Sequence, residues 1–121
     1  MKKSTAVLCT GAGPASSATP PPEIAATLSV LSGKWKLLII WTLYRGTTRF
    51  NTLKRGLPGL TQHTLTAQLR DLESEGIVSR RIFAEVPPRV EYSLTEHGKT
   101  LGQVLRTLAQ WGGTHLASRR R

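Results

Sequence analysis

Leu57-Pro58-Gly59-Leu60-Thr61-Gln62-His63-Thr64-Leu65-Thr66-Ala67-Gln68-Leu69-Arg70-Asp71-Leu72-Glu73-Ser74-Glu75 opens the stretch that decides the fold, which runs on through residue 94. Pro58-Gly59 is turn chemistry: proline presets φ, and glycine tolerates the left-handed backbone that a tight turn needs. Thr61 can cap a helix on which Leu65, Leu69 and Leu72 form one stripe, predicting a helix over about 61–75. At about 100° per residue, His63, Ala67, Arg70 and Ser74 fall opposite that stripe, with Thr66 between. No large apolar residue occupies the outward face, and small or hydrogen-bonding side chains there suit close approach to base edges. Upstream, Thr48 is expected to cap a short helix over 48–55 that buries Phe50, Leu53 and Leu57. Two helices around a tight turn make a helix-turn-helix, whose second helix can enter a DNA major groove.

A basic hairpin follows, Ile77–Phe83 out and Arg89–Leu94 back. On the return strand Val90, Tyr92 and Leu94 alternate with Arg89, Glu91 and Ser93, so one face is buried and one is wet. Pro87-Pro88 cannot continue a ladder, so the tip is a loop. The hairpin reads as a two-stranded wing carrying Arg80, Arg81 and Arg89.

Outward from this centre, Ile24, Leu28 and Leu31 recur at helical spacing and predict a short amphipathic helix, broken by Ser32-Gly33. A second helix, Lys34–Arg45, carries Trp35, Leu37, Leu38, Ile39, Ile40, Trp41 and Leu43 on every side, and is expected at the centre of the core. Thr95 caps a last helix, with Glu96 suited to its positive end and Leu101, Val104, Leu105, Leu108 and Trp111 as its stripe. Residues 1–22 are rich in Ala, Ser, Thr, Gly and Pro and predict a flexible arm, because little there can offset ordering entropy. The domain is expected over 23–116, with a basic tail at 117–121. The fold class is α+β: a winged helix-turn-helix with amphipathic helices at both ends.

The chain has 121 residues, room for one domain with a modest core. Its formal net charge is +10, from 17 Lys plus Arg against 7 Asp plus Glu. Setting aside Lys2, Lys3 and Arg119–Arg121 from the 17 leaves 12 basic residues against the same 7 acidic ones. The domain itself therefore favours a polyanionic partner, since cations near phosphates release condensed counterions. One cysteine, Cys9, excludes an internal disulfide and fits a reducing compartment. The longest apolar run, Leu37–Trp41, is too short to cross a bilayer, and the apolar segment after Lys2-Lys3 is too short for an export signal. A cytoplasmic protein that does not engage membranes is expected. There is no phosphate-cradling glycine loop, no His/Cys/Asp cluster at metal spacing and no nucleophile with an evident base. Neither catalysis nor a cofactor or metal is expected.

Several segments together resemble one family. They are Ser32-Gly33-Lys34-Trp35, Arg49-Phe50-Asn51-Thr52-Leu53, Leu57-Pro58-Gly59-Leu60-Thr61-Gln62, Leu69-Arg70-Asp71-Leu72-Glu73 and Glu85-Val86-Pro87-Pro88-Arg89-Val90-Glu91-Tyr92-Ser93-Leu94-Thr95. In this order, over roughly residues 22–112, they resemble the HxlR-type winged helix-turn-helix regulators, relatives of the MarR group. The resemblance implies a homodimeric transcriptional regulator that binds operator double-stranded DNA and dimerises through its terminal helices. Many members carry a reactive cysteine just before the first helix. The matching position here is Pro21-Pro22 and Cys9 lies upstream, so redox sensing at Cys9 is an open question.

These readings assign Thr61, Gln62, His63, Thr66 and Arg70 to the major groove. Gln62 suits adenine and Arg70 suits guanine, each good pair discriminating by ~1–3 kcal/mol. Arg80, Arg81 and Arg89 are expected to reach phosphates or the minor groove. Lys34, Arg49, Lys54 and Arg55 are further phosphate candidates. Ile24, Leu28, Leu108 and Trp111 are expected in a dimer interface, the alternative being that they complete the core of one chain. The function expected is a sequence-specific repressor, with any small-molecule effector unknown. The alternative is a winged-helix module whose hairpin docks another protein. A basic wing and a recognition face poor in acid argue for DNA.

Overall fold

The structure is a computed structural model that describes residues 19–120. The chain divides into two compact units at Val30. Of the first unit, the described part is mostly helix α1, Pro22–Leu31. Glu23 in its first turn suits the positive end of the dipole, and Ile24 and Leu28 are more than half exposed.

The second unit begins at Leu31. Ser32-Gly33 breaks the helix as expected, with Gly33 at φ +91°, a conformation only glycine enters freely. Helix α2 spans Lys36–Tyr44 and buries Ile39, Ile40 and Leu43 completely or nearly so. It is not buried all round, however. Leu38, Trp41 and Tyr44 are each about 40% exposed or more, because core elements cover one side of the helix only.

Strand β1, Thr48–Arg49, replaces the start of the helix expected at 48. Thr48 caps nothing. It pairs with Tyr92 and Arg49 pairs with Glu91 of the returning hairpin strand, a long-range ladder that outweighs the local capping preference. Helix α3, Phe50–Gly56, therefore starts two residues late, with no side-chain cap at Arg49, and buries Leu53. Leu57 and Leu60 are buried around the turn, and Gly59 takes φ +93°. Helix α4, Gln62–Ser74, follows as expected and buries Leu65, Leu69 and Leu72.

Strands β2, Val78–Phe83, and β3, Arg89–Leu94, form the hairpin, in register from Val78↔Leu94 out to Phe83↔Arg89. With β1 they make one antiparallel sheet of order β1-β3-β2. Val78, Tyr92 and Leu94 anchor the sheet in the core, while Ile82 toward the tip is 60% exposed. The hairpin thus projects beyond the core as a wing.

The last helix is two helices. Thr95 caps α5, Glu96–Lys99, its Oγ1 accepting from Gly98 N at 2.9 Å. After a break, α6 runs Gly102–Arg119. Two close contacts shape this turn. Gly98 lies against the Ile77 carbonyl, and a Cβ on Gly102 would fall within 2.7 Å of the Tyr44 ring. Helix α6 buries only Gly102 and Leu105; Leu108 and Trp111, on its expected apolar stripe and expected in a dimer interface, are 46% and 66% exposed in the single chain. Its helical turns continue through Ala117 and Ser118, where a separate tail was expected, and Arg119 sits favourably at the negative end of the dipole. Cys9 and residues 1–18 of the expected arm lie outside the described residues.

Candidate nucleic-acid interface

Helix α4 begins where its sequence says it should. Thr61 takes extended backbone angles, its Oγ1 accepts from Thr64 N at 3.1 Å and donates to Thr64 Oγ1 at 3.0 Å. The cap satisfies one of the N–H groups that a helix start leaves unpaired. With the leucine stripe turned inward, Gln62, His63, Ala67, Arg70 and Ser74 are exposed, and Thr66 is half-buried at the edge. Thr61 is exposed too, but its hydroxyl is already committed to the cap.

The two flanks of α4 are tied to the rest of the domain by charge. On one side, Lys36 Nζ of α2 lies 3.3 Å from Asp71 Oδ2. On the other, Arg80 Nε of β2 lies 4.0 Å from Glu73 Oε2, joining the wing to the helix. Sequence reasoning missed Lys36, Asp71 and Glu73. An acid at an i,i+3 or i,i+4 step from a base would have been visible, but these partners are brought together only by folding.

The wing has an outer cationic face built around one ring. Phe83 is flanked by the Arg89 guanidinium 3.9 Å from its centroid and the Arg81 guanidinium at 4.8 Å. Arg89 is further held by Glu85 at 3.2 Å and Glu91 at 3.5 Å, with only 27% of its side chain exposed. Arg49 reaches the same Glu91 at 4.0 Å. Arg81 is exposed and has no carboxylate within 4.0 Å among the described residues. The three wing arginines expected from sequence are therefore unequal: Arg89 is neutralised inside the wing, Arg80 is shared with α4, and Arg81 is open to solvent.

At the root of the wing Tyr92 is buried, and desolvation pushes its phenol above the ordinary value of 10.0, with the nearby Arg80 pulling the other way. Beneath the wing a cleft of about 500 Å³ is lined by Phe50, Asn51, Arg80, Pro87, Val90 and Tyr92. Among the described residues no three His, Cys, Asp or Glu side chains gather as a metal site. No single helix among them is long and apolar enough to cross a membrane.

A tight-turned helix pair, a capped outward helix and a projecting wing are the parts of a winged helix-turn-helix, and residues 30–120 match the model of the HxlR-like helix-turn-helix family. The chain belongs to that family. Among its HxlR-type relatives, the uncharacterised HTH-type transcriptional regulator YtcD of Bacillus subtilis is 45% identical over 94 residues, covering 78% of this chain and 75% of YtcD. The uncharacterised regulator YybR of the same organism is 48% identical over 86 residues, 71% of this chain and 69% of YybR. Among solved structures, the redox regulator HypR in its reduced form superposes with a TM-score of 0.77 at 42% identity, over 81% of this chain and 97% of HypR. Like the HxlR-type proteins it resembles, the chain is a DNA-binding transcriptional regulator.

Proposed function

We propose that the protein is a cytoplasmic homodimeric repressor that reads its operator with α4 in the major groove. The observation that carries this reading is the capped α4, anchored by three buried leucines and presenting Gln62, His63, Thr66 and Arg70 outward. In the paired arrangement, two such helices enter successive major grooves about 34 Å apart, and each wing lies on the flanking backbone. Arg81 supplies the wing's phosphate contact, Arg80 sets the wing against α4 and adds to it, and Arg89 holds the tip in shape from within. Thr61 acts first as the cap, placing Gln62 and His63 at the leading end of the helix.

Dimerisation rests on exposure. Ile24 and Leu28 on α1, and Leu108 and Trp111 on α6, are large apolar side chains that stand about half exposed or more. A second copy would remove that surface from water. Repression would follow when the operator overlaps a promoter.

Fluorescence anisotropy tests the reading. Purified protein is titrated onto a duplex from the region upstream of its own gene and onto a shuffled duplex, across a salt series. Binding at least ~10³-fold tighter to the native duplex is expected for specific recognition. Equal binding to both would remove the sequence-reading role from α4, and sedimentation showing only monomer at micromolar concentration would remove the dimer.

A further inference from the structure

Lys36 is the one charged residue that is buried among the described residues. Its side chain is 10% exposed, and its carboxylate partner, Asp71, is 61% exposed. Three physical costs meet there. An ammonium loses its hydration, it stands at the first residue of α2 where the helix dipole is positive, and its partner remains wet and therefore a weak counter-charge. An apolar side chain of similar length would fill the same space without these costs, so stability is a poor reason for a lysine here.

The pair offers direction instead. Leucine and isoleucine packing is non-directional and tolerates small rotations of a helix. A 3.3 Å ion pair between the first turn of α2 and the last turn of the outward helix fixes one point of α4 against the core. Asp71 follows Arg70 directly, so rotation of α4 about its axis swings Asp71 and Arg70 together.

We propose that Lys36 is a positioning residue for DNA reading: through Asp71 it sets the rotation of α4, and with it the aim of Gln62, His63, Thr66 and Arg70. This rests on the reading of α4 as the recognition helix. Lys36 touches no base and acts only through Asp71.

The test uses the full chain. A duplex is first selected from a random-sequence library by the unaltered protein. Affinities for that duplex and for a scrambled one are then measured for K36M, D71N, K36M/D71N and K36R, with thermal melting of each. The expected result is a roughly tenfold fall in the selected-to-scrambled ratio for K36M and for D71N, about the value of one well-made base contact. The double variant should be no worse than either single one, and K36R should keep most of the ratio. K36M should melt at or above the parent, which a merely structural lysine would not do. An unchanged ratio in folded D71N and K36M would overturn the proposal, as would D71N tightening both duplexes equally, the sign of a charge effect alone. If the unaltered protein enriches no sequence, it is the recognition-helix reading that fails, and this proposal with it.

Discussion

Arg81 and Arg89 stand on the same wing and flank the same ring, yet they should behave differently on DNA. Arg81 has no carboxylate within 4.0 Å among the described residues, whereas Arg89 has two, Glu85 at 3.2 Å and Glu91 at 3.5 Å. Only a cation free to neutralise a phosphate releases a counterion. Each such contact contributes about −0.9 to the slope of log affinity against log salt. A dimer carries two copies, so Arg81→Ala is expected to flatten the slope by about 1.8. Between 50 and 200 mM salt, a roughly fourfold span, that makes the salt-induced loss of affinity about twelvefold smaller than in the parent. The control removes Arg89 and Glu85 together, as R89A/E85Q, which leaves the net charge unchanged. If Arg89 is neutralised inside the wing, that variant keeps the parental slope. Anisotropy titrations at five or more salt concentrations give both slopes directly. Equal flattening in the two variants would refute the reasoning, because it would mean Arg89 abandons Glu85 for a phosphate on binding. A parental slope in Arg81→Ala would refute it from the other side.

Four further outcomes are expected. Thr61→Ala removes the α4 cap and should cost about 1 kcal/mol, seen as a melting temperature lower by about 4–8 °C, while Thr61→Ser should retain most of it. Gly98→Ala drives a Cβ into the Ile77 carbonyl and should destabilise by about 1–3 kcal/mol in urea unfolding. Gly112→Ala, with open space around the new methyl and a helical backbone, should stabilise the monomer by about 0.5–1 kcal/mol. If Gly112→Ala instead weakens dimerisation in sedimentation, the second copy approaches α6 closely at that point. Tyr92 gives the pH prediction. Its folded-state pKa is raised by burial, so its contribution is intact below the ordinary value of 10.0. Above that pH the unfolded chain ionises first, and stability is lost as pH climbs toward the folded value. Tyr92→Phe should remove that part of the alkaline loss, measured as a shallower fall in urea midpoint above pH 10; an identical fall would assign it to other groups.

The sequence by itself determined whatever rests on neighbours a few residues apart. The Pro58-Gly59 turn, the Thr61 and Thr95 caps, the leucine stripe of α4 and the alternation of β3 are local patterns, because capping bonds and helical or strand periodicity span four residues or fewer. The family resemblance rests on the same segments. What depended on distant partners was decided only by the tertiary structure. Thr48 became a strand residue because Tyr92, 44 positions away, offered it a ladder. Leu38, Trp41, Leu108 and Trp111 stayed exposed because the elements among the described residues cover one side of α2 and only the inner half of α6. The candidate interface divides in the same way. Its outward residues on α4 follow from helical period, but the inequality of Arg80, Arg81 and Arg89 follows from which carboxylates the fold brings beside them. Lys36 is the clearest case: in the sequence it is one polar residue at the edge of an apolar run, and only the packing of α2 on α4 buries it against Asp71. Charge pairing between separate elements depends on where the whole chain places them, and no local pattern encodes that distance.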